Sequence, residues 1–392
     1  MTPEAAAPRA PSPTRAPAAG AVGLAAASAA FAWMFLHAES QAAVGWIGAA
    51  AIAGVLVAAR LGALRWASRG AVENERATGV ALALALLLLV AAFHEDHFTL
   101  LLLARVLLVA MACLGLHVQL GMTGVVNFAG AAFFGIGSYT AAVLAARTSL
   151  PHPLVLAAGG AAAALVGSVL LLPLLRTRGH YAALVTIAFG ILFRTFLEVN
   201  DALGGPQGLN VRGFSLFGFS FNDNLSPGGV ELSFYVAYVT LGLLLLGAAF
   251  VTVRRLETSW IGLALDAIRL DETAAASFGV RVPFWKIGAF TLGNFITGSA
   301  GALSAMMTGY IAPNAFTFQE SLVFVSIVLL GGIGNAWGLL LASFIVVVVP
   351  EKLQAIQEYR FLLFSTLVIL VLVFRPSGLV PRALRRRFGG DR

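Results

Sequence analysis

Lysine is nearly absent: of 25 basic residues only Lys286 and Lys352 are lysines. Neither closes a G-x-x-x-x-G-K-[ST] loop, so the chain has no Walker-A cradle for nucleotide phosphates and does not power itself with ATP. A single cysteine, Cys113, excludes an intrachain disulfide and a cysteine-rich metal cluster. Charge of either sign is scarce, at 11% of residues. It forms no set of nucleophile, base and orienter and no paired carboxylates, so no catalytic residue is expected. His94-Glu-Asp-His97 puts two histidines near two acids, but the loop is short, lacks further ligands and is not H-E-x-x-H. No metal and no cofactor are expected in this chain.

Apolar residues are abundant, at 59% of the 392, with a mean hydropathy of +0.90. They fall in runs of roughly 15–25 residues, the length a helix needs to cross about 30 Å of hydrocarbon. The chain therefore reads as an all-α, polytopic transmembrane helix bundle of about 10–12 spans, some of them broken or re-entrant. A net charge of +7 would suggest nucleic acid in a soluble domain. Here the arginines sit in short loops between apolar runs, so topology accounts for them and no nucleic-acid partner is expected.

Candidate spans lie at approximately 21–36, 42–59, 78–93, 98–118, 125–146, 152–174, 180–200, 230–253, 284–310, 320–334, 336–350 and 360–374. With both termini inside (N-in/C-in), the clusters Arg60–Arg76, Arg176/Arg178 and Arg254–Arg281 and the tail RALRRRF all become cytoplasmic, as the positive-inside bias requires. The loops 94–97, 151–153, 201–229 and 311–319 then lie outside. Residues 1–20, rich in Pro and Ala, read as a disordered cytoplasmic tail. The run at 21–36 begins a series of such runs and reads as an uncleaved signal anchor. The expected organisation is that tail, N-terminal extra spans with a cytoplasmic loop over 21–77, a transmembrane domain over 78–376 and a basic cytoplasmic tail over 377–392. The domain contains a periplasmic loop at 201–229 and a cytoplasmic loop at 254–283.

Four segments carry unusual chemistry. Gly121 to Tyr139 (GMTGVVNFAGAAFFGIGSY) combines five glycines with Thr123 and Asn127 at the entrance to a span. Such a segment suits either a broken helix facing a cavity or close helix packing. Arg194 and Glu198, spaced i,i+4 near the outer end of a span, read either as a pathway element for a zwitterion or as a snorkelling interfacial pair. Ser259 to Pro283 reads as a short amphipathic helix with Leu263, Ala267, Ile268 and Leu270 among Asp266, Arg269, Asp271 and Glu272, stopped by Gly279. It suits either docking of a partner protein or a surface linker. Finally, Thr291, Asn294, Thr297, Gly298, Gly301, Ser304 and Thr308 form a small, polar stripe that either lines a path or packs.

At these motifs, from about residue 98 to 381, the chain resembles the LivM-type permeases of branched-chain amino acid ABC importers. The likeness is carried by G-x-x-G leading into A-A-F-F-G-I-G-x-Y (Gly121–Tyr139) and by R-x-R-G-x-Y-x-A-L-V-T-x-A-F (Arg176–Phe189). It continues with G-G-x-x-G-L (Gly204–Leu209), S-x-x-G-x-A-L-x-A-I-R-x-D-E-x-A-A-x-x-x-G (Ser259–Gly279), G-x-A-G-A-L (Gly298–Leu303), G-G-x-G-x-x-x-G (Gly331–Gly338) and R-P-x-G-L (Arg375–Leu379). Where LivM-type members have S-L-G-H, Asn127-Phe-Ala-Gly130 is similar to the partner LivH-type permease. The first two spans lie outside the matching region.

The resemblance implies a transporter subunit of the bacterial inner membrane that is not an enzyme. It implies a second, LivH-type permease, two ABC ATPase subunits that bind ATP and Mg, and a periplasmic solute-binding protein as partners in the lipid bilayer. Asp266, Arg269, Asp271, Glu272, Ala274, Ala275 and Gly279 then form the coupling loop that contacts the ATPase. Gly121, Thr123, Gly124, Asn127, Gly130, Thr186, Asn294, Thr297 and Ser304 are the residues expected along the translocation path. The implied cargo is branched-chain, hydrophobic amino acids, with urea or short amides as the alternative within the family. An ion-driven carrier needs ionisable groups in mid-span, and only Arg105, His117, Arg194 and Glu198 come near one, all close to span ends. A membrane scaffold or receptor would not need so many glycines and broken spans.

Overall fold

The computed structural model describes residues 18–38, 75–175, 181–216, 218–222, 232–334 and 336–352, with isolated positions between 40 and 50 and between 362 and 369. The expected spans at 42–59 and 360–374, the residues Arg60, Arg65, Arg69, Arg176 and Arg178, most of the 1–20 tail and the 377–392 tail lie outside the described residues. The chain divides into two compact units between Ala92 and Phe93. In the first, α1 (Ala18–His37) and α2 (Glu75–Ala92) pack on each other. Both are apolar over their inner stretches, Ala26–His37 and Ala77–Ala92.

The second unit is a helix bundle. It contains α3 (His97–Leu116), α4 (Gly130–Arg147), α5 (His152–Leu174), α6 (Tyr181–Val199) and α7 (Tyr235–Thr258). Two short helices follow, α8 (Trp260–Leu270) and α9 (Glu272–Ser277), then α10 (Val282–Thr308), α11 (Phe318–Gly331) and α12 (Ala336–Lys352). Among the described residues five helices are long and apolar enough to cross a bilayer: His97–Met122, His152–Leu174, Tyr181–Val199, Tyr235–Thr258 and Pro313–Gly331. The all-α bundle is therefore the fold that the apolar runs predict. Among the described residues the paired strands are two pairs of two-residue strands. These are β1 (Leu209–Asn210) with β4 (Tyr310–Ile311), and β2 (Ser215–Leu216) with β3 (Phe219–Ser220).

Helix α10 runs through the middle of this unit, against α3, α4 and α5. Its small-residue stripe lets backbones touch. A Cβ on Gly115 of α3 would lie 2.3 Å from the Gly293 carbonyl oxygen, and one on Gly137 of α4 would lie 1.9 Å from that of Gly298. On the α5 side, a Cβ on Gly160 would meet Ser299 Oγ at 2.3 Å. Lipid supplies little hydrophobic drive between helices, so such close dispersion contact is what associates them. Hydrogen bonds add direction: Ser138 Oγ donates to the Gly301 carbonyl at 2.9 Å, Thr297 Oγ1 to the Ala112 carbonyl at 3.1 Å, and Ser168 pairs with Thr291 at 2.6 Å.

The loops gather at two ends. At one, Ser233 N–H donates to the His94 carbonyl at 2.9 Å, Ser215 Oγ pairs with His152 at 2.8 Å, and β1 pairs with β4. Tyr238 closes that end: its hydroxyl accepts the Phe214 N–H at 2.9 Å and lies 2.7 Å from Asn222 Oδ1 and 3.0 Å from the Met306 carbonyl. Here α3 is started by Asp96, whose Oδ1 accepts from Phe98 N at 3.0 Å and Thr99 N at 3.1 Å. Burial pushes the Asp96 carboxyl up, but the hydrogen bonds from Thr99 and Phe98 outweigh it and hold the group below its ordinary value. The loops 94–97 and 151–153 and the described parts of 201–229 and 311–319 thus lie together at this end of the bundle. Helices α11 and α12 form a hairpin whose turn brings Gly331 against Gly338. It returns to the Asp96 end, where Glu351 meets Arg105 at 2.8 Å. The first arm reaches spanning length only together with the turn before it, from Pro313; the second, at 17 residues, is about 26 Å long, shorter than a hydrocarbon core of about 30 Å.

Replacing Gly137 or Gly298 by Ala is expected to cost about 1–3 kcal/mol by overpacking and to lower the melting temperature of the purified protein. Gly247→Ala, where no atom lies within 4 Å of the added carbon, is expected to leave it unchanged. Equal melting of all three in a detergent thermal-shift assay contradicts the close-contact account.

Candidate functional site

Helix α3 does not end cleanly. It widens into a π-helical turn over His117–Met122 and then runs without helix through 124–129 before α4 begins at Gly130. Gly124 takes a left-handed φ of 74°, which a residue with a side chain adopts only under strain. A break of this kind inside a bundle frees backbone N–H groups that need partners. Asn127 Oδ1 accepts from Ala129 N at 2.8 Å, Thr186 Oγ1 from Phe128 N at 3.1 Å and Ser321 Oγ from Ala131 N at 3.0 Å. The glycine-rich segment is thus a broken helix and a tightly packed one at once.

Behind the break lies a chain of buried amides. Gln119 Nε2 donates to Asn294 Oδ1 at 2.9 Å, and Asn127 Nδ2 donates to Gln119 Oε1 at 2.7 Å. Thr123 Oγ1 donates to the Gln119 carbonyl at 2.6 Å. Gly167 of α5 makes room for the Asn294 amide, since a Cβ there would lie 1.9 Å from Nδ2. Of the residues expected along a path, Thr123, Asn127, Asn294 and Thr297 meet around Gln119 and α3, while Gly130 and Thr186 lie beside the α4 entrance. All of these are buried in protein. Gly121 faces the His117 ring and Gly124 faces Arg269. Ser304 stands apart, two turns further along α10, half-buried, with its carbonyl accepting from Thr308 Oγ1 at 2.9 Å.

The loop after α7 is folded. The single amphipathic helix expected there is two helices, α8 and α9, divided at Asp271. Asp271 is extended, and its Oδ1 accepts from Thr273 N at 2.8 Å and Ala274 N at 3.0 Å, which ends one helix and starts the next. Ser259 caps α8, and Leu265, Ile268 and Ala275 face inward. Trp260 stands edge-on to Trp285 at 5.3 Å and Glu272 pairs with Lys286, so the loop is tied to the root of α10, while Asp266 lies 3.9 Å from Arg269 within α8. Gly279, with φ of 80°, turns the chain into α10. Large apolar side chains also face outward, Leu270 at 80% and Phe278 at 88% exposure most of all, with Trp260 and Leu263 exposed to a lesser degree.

Residues missed in the sequence complete this end. Gln119 was signalled only by an amide inside an apolar run, and Glu257 by a lone acid after Arg254 and Arg255. Glu257 Oε1 lies 2.9 Å from His117 Nε2, and its other oxygen binds Arg254. On α6, Arg194 and Glu198 pair at 2.8 Å with their side chains 43% and 37% exposed, among exposed Ile191, Leu192 and Val199. Beside them a groove of about 310 Å³ opens between α4 and α6, lined by Ile136, Tyr139, Phe193, Phe196 and Leu197.

Sequence comparisons agree with this architecture. Residues 98–373 match the family described as branched-chain amino acid transport system permease component. The chain is 34% identical over 282 residues to the high-affinity branched-chain amino acid transport system permease protein LivM of Escherichia coli, a match that covers 68% of this chain and 66% of that protein. A probable LivM of Methanocaldococcus jannaschii is 26% identical over 55% of this chain and 64% of its own length. LivH of Salmonella typhimurium is 24% identical over 70% of this chain and 91% of its own. No solved structure matches.

Gln119→Leu removes the centre of the amide chain and leaves Asn127 and Asn294 short of partners, at an expected cost of about 1–3 kcal/mol for each group left unsatisfied. A melting temperature equal to that of the unaltered protein contradicts this placement.

Proposed function

The chain belongs to the family of branched-chain amino acid transport permease components, and from that premise we propose that it forms one membrane subunit of an ATP-driven importer for branched-chain amino acids. The observation that carries the coupling part of this proposal is the loop α8–α9. A loop held rigidly to α10 yet presenting Leu270 and Phe278 to the outside would waste two large apolar side chains unless a partner covers them. An ATPase subunit fits: the chain has no nucleotide cradle of its own, and energy must enter from another protein. We place Asp266, Arg269, Asp271, Glu272, Ala274, Ala275 and Gly279 in this docking element, with Asp271 as the cap that sets the angle between its two helices.

Both termini lie inside in this proposal, so α8–α9 faces the cytoplasm and the end closed by Tyr238 faces the binding protein. The second permease covers α6. An ion pair in a largely uncovered apolar helix is costly against lipid, and a protein or water-lined neighbour removes that cost. The apolar groove between α4 and α6 then lies along the boundary of the path, next to one charge of each sign. Thr123, Asn127, Gly130, Thr186, Asn294, Thr297 and Ser304 support that path from behind and do not line it in this conformation.

Reconstitution with the partner permease, ATPase subunits and binding protein is expected to give ATP-dependent leucine uptake. The double variant Leu270→Ser, Phe278→Ser is expected to weaken co-purification of the ATPase subunits by about tenfold or more, as loss of buried interface anchors does. Undiminished co-purification and uptake overturn the docking assignment, and a binding protein that takes urea but no branched-chain amino acid overturns the cargo.

A further inference from the structure

The sequence His117-Val-Gln-Leu-Gly-Met122 contains no proline and only one glycine, yet α3 widens there into a π-turn. Single π-turns inside α-helices frequently mark functional positions, and this one is held from outside the helix. His117 is wholly buried and Glu257 is 5% exposed. The His117 Nε2–H donates to Glu257 Oε1 at 2.9 Å, while Arg254 binds the second carboxylate oxygen. Glu257 lies at the end of α7, two residues before the Ser259 cap of α8, so this carboxylate sits at the root of the docking loop. Gly121 provides the space for the ring, because a Cβ there would lie 2.6 Å from His117 Nδ1.

The same loop touches the turn a second time. Arg269, at the far end of α8, packs its side chain on Gly124, where a Cβ would lie 3.3 Å from Arg269 Cγ. Residues 117–124 are therefore held at one end by Glu257 and at the other by Arg269. Between these grips, Gln119 reaches inward to Asn294 of α10 and to Asn127, whose own oxygen caps the entrance to α4.

We infer that the clasp of His117, Glu257 and Arg254 is a positioning device that makes the π-turn move with α8, so that displacement of the docking loop reaches α4 through Gln119 and Asn127. This rests on α8–α9 being the ATPase-docking element. Apolar surfaces slide past one another at little cost. A buried carboxylate held by two donors does not, since separating it from either strands a charge in the interior. His117 is thus a positioning residue for coupled transport, and Gly121 belongs to the same device rather than to a path.

The test uses the complete importer in proteoliposomes with leucine as cargo. His117→Leu deletes the donor, Gly121→Ala displaces the ring without altering any charge, and His117→Gln keeps an N–H at the end of a side chain of similar reach. His117→Leu and Gly121→Ala are expected to assemble with the ATPase subunits but to carry about tenfold less leucine per ATP hydrolysed, with His117→Gln within about threefold of the unaltered chain. Gly121→Ala gives the same information should His117→Leu not fold. Unchanged leucine per ATP in Gly121→Ala, or a loss in His117→Gln as large as in His117→Leu, overturns the proposal. Failure of the docking assignment shows itself separately, as ATPase subunits that co-purify undiminished with the Leu270→Ser, Phe278→Ser chain.

Discussion

Backbone contact between α10 and its three neighbours is the constraint on which the rest of the structure depends. At Gly115 with Gly293, and Gly137 with Gly298, the separation of the helices leaves no space for even one carbon atom. In lipid, where apolar side chains gain nothing by leaving solvent, this contact and the hydrogen bonds it permits are what hold helices together. It also places Asn294 within reach of Gln119, and Thr297 within reach of the Ala112 carbonyl. The polar interior follows from the packing.

A helix interrupted in such a bundle must find partners for its freed N–H groups, because no water is at hand. The break between α3 and α4 finds them in Asn127, Thr186 and Ser321, which belong to three separate parts of the chain. That arrangement ties the start of α4 to α6, α11 and the amide chain at once. It gives a small shift of the break several places to be felt, and Gly124 puts the break beside Arg269 of the α8–α9 loop.

Much of this was legible from residue patterns. Apolar runs located the helices, the small polar stripe over Thr291–Thr308 located the face of α10 that packs, and the charged stretch after Arg254 located the α8–α9 loop. What was not legible depends on distance along the chain or on one residue serving two ends. His117 and Glu257 are 140 positions apart, and nothing local to either announces the other. Asp271 read as part of a helix face, though an Asp before Glu-Thr-Ala-Ala is equally an N-cap, and capping won because its side chain reaches two orphan N–H groups. Of the apolar set Leu263, Ala267, Ile268 and Leu270, Ile268 turns inward together with Leu265, while Leu263 and Leu270 are exposed.

In the proposed topology the loop α8–α9 and the end closed by Tyr238 face opposite compartments, with energy entering at the first. The direct measurement is labelling of single cysteines by a membrane-impermeant thiol reagent, with Cys113, which is buried, as the silent native thiol. Ser277→Cys on α9 is predicted to react only in inverted membrane vesicles, and Ala202→Cys beyond α6 only in intact, outward-facing cells. Labelling of both from the same side contradicts the account.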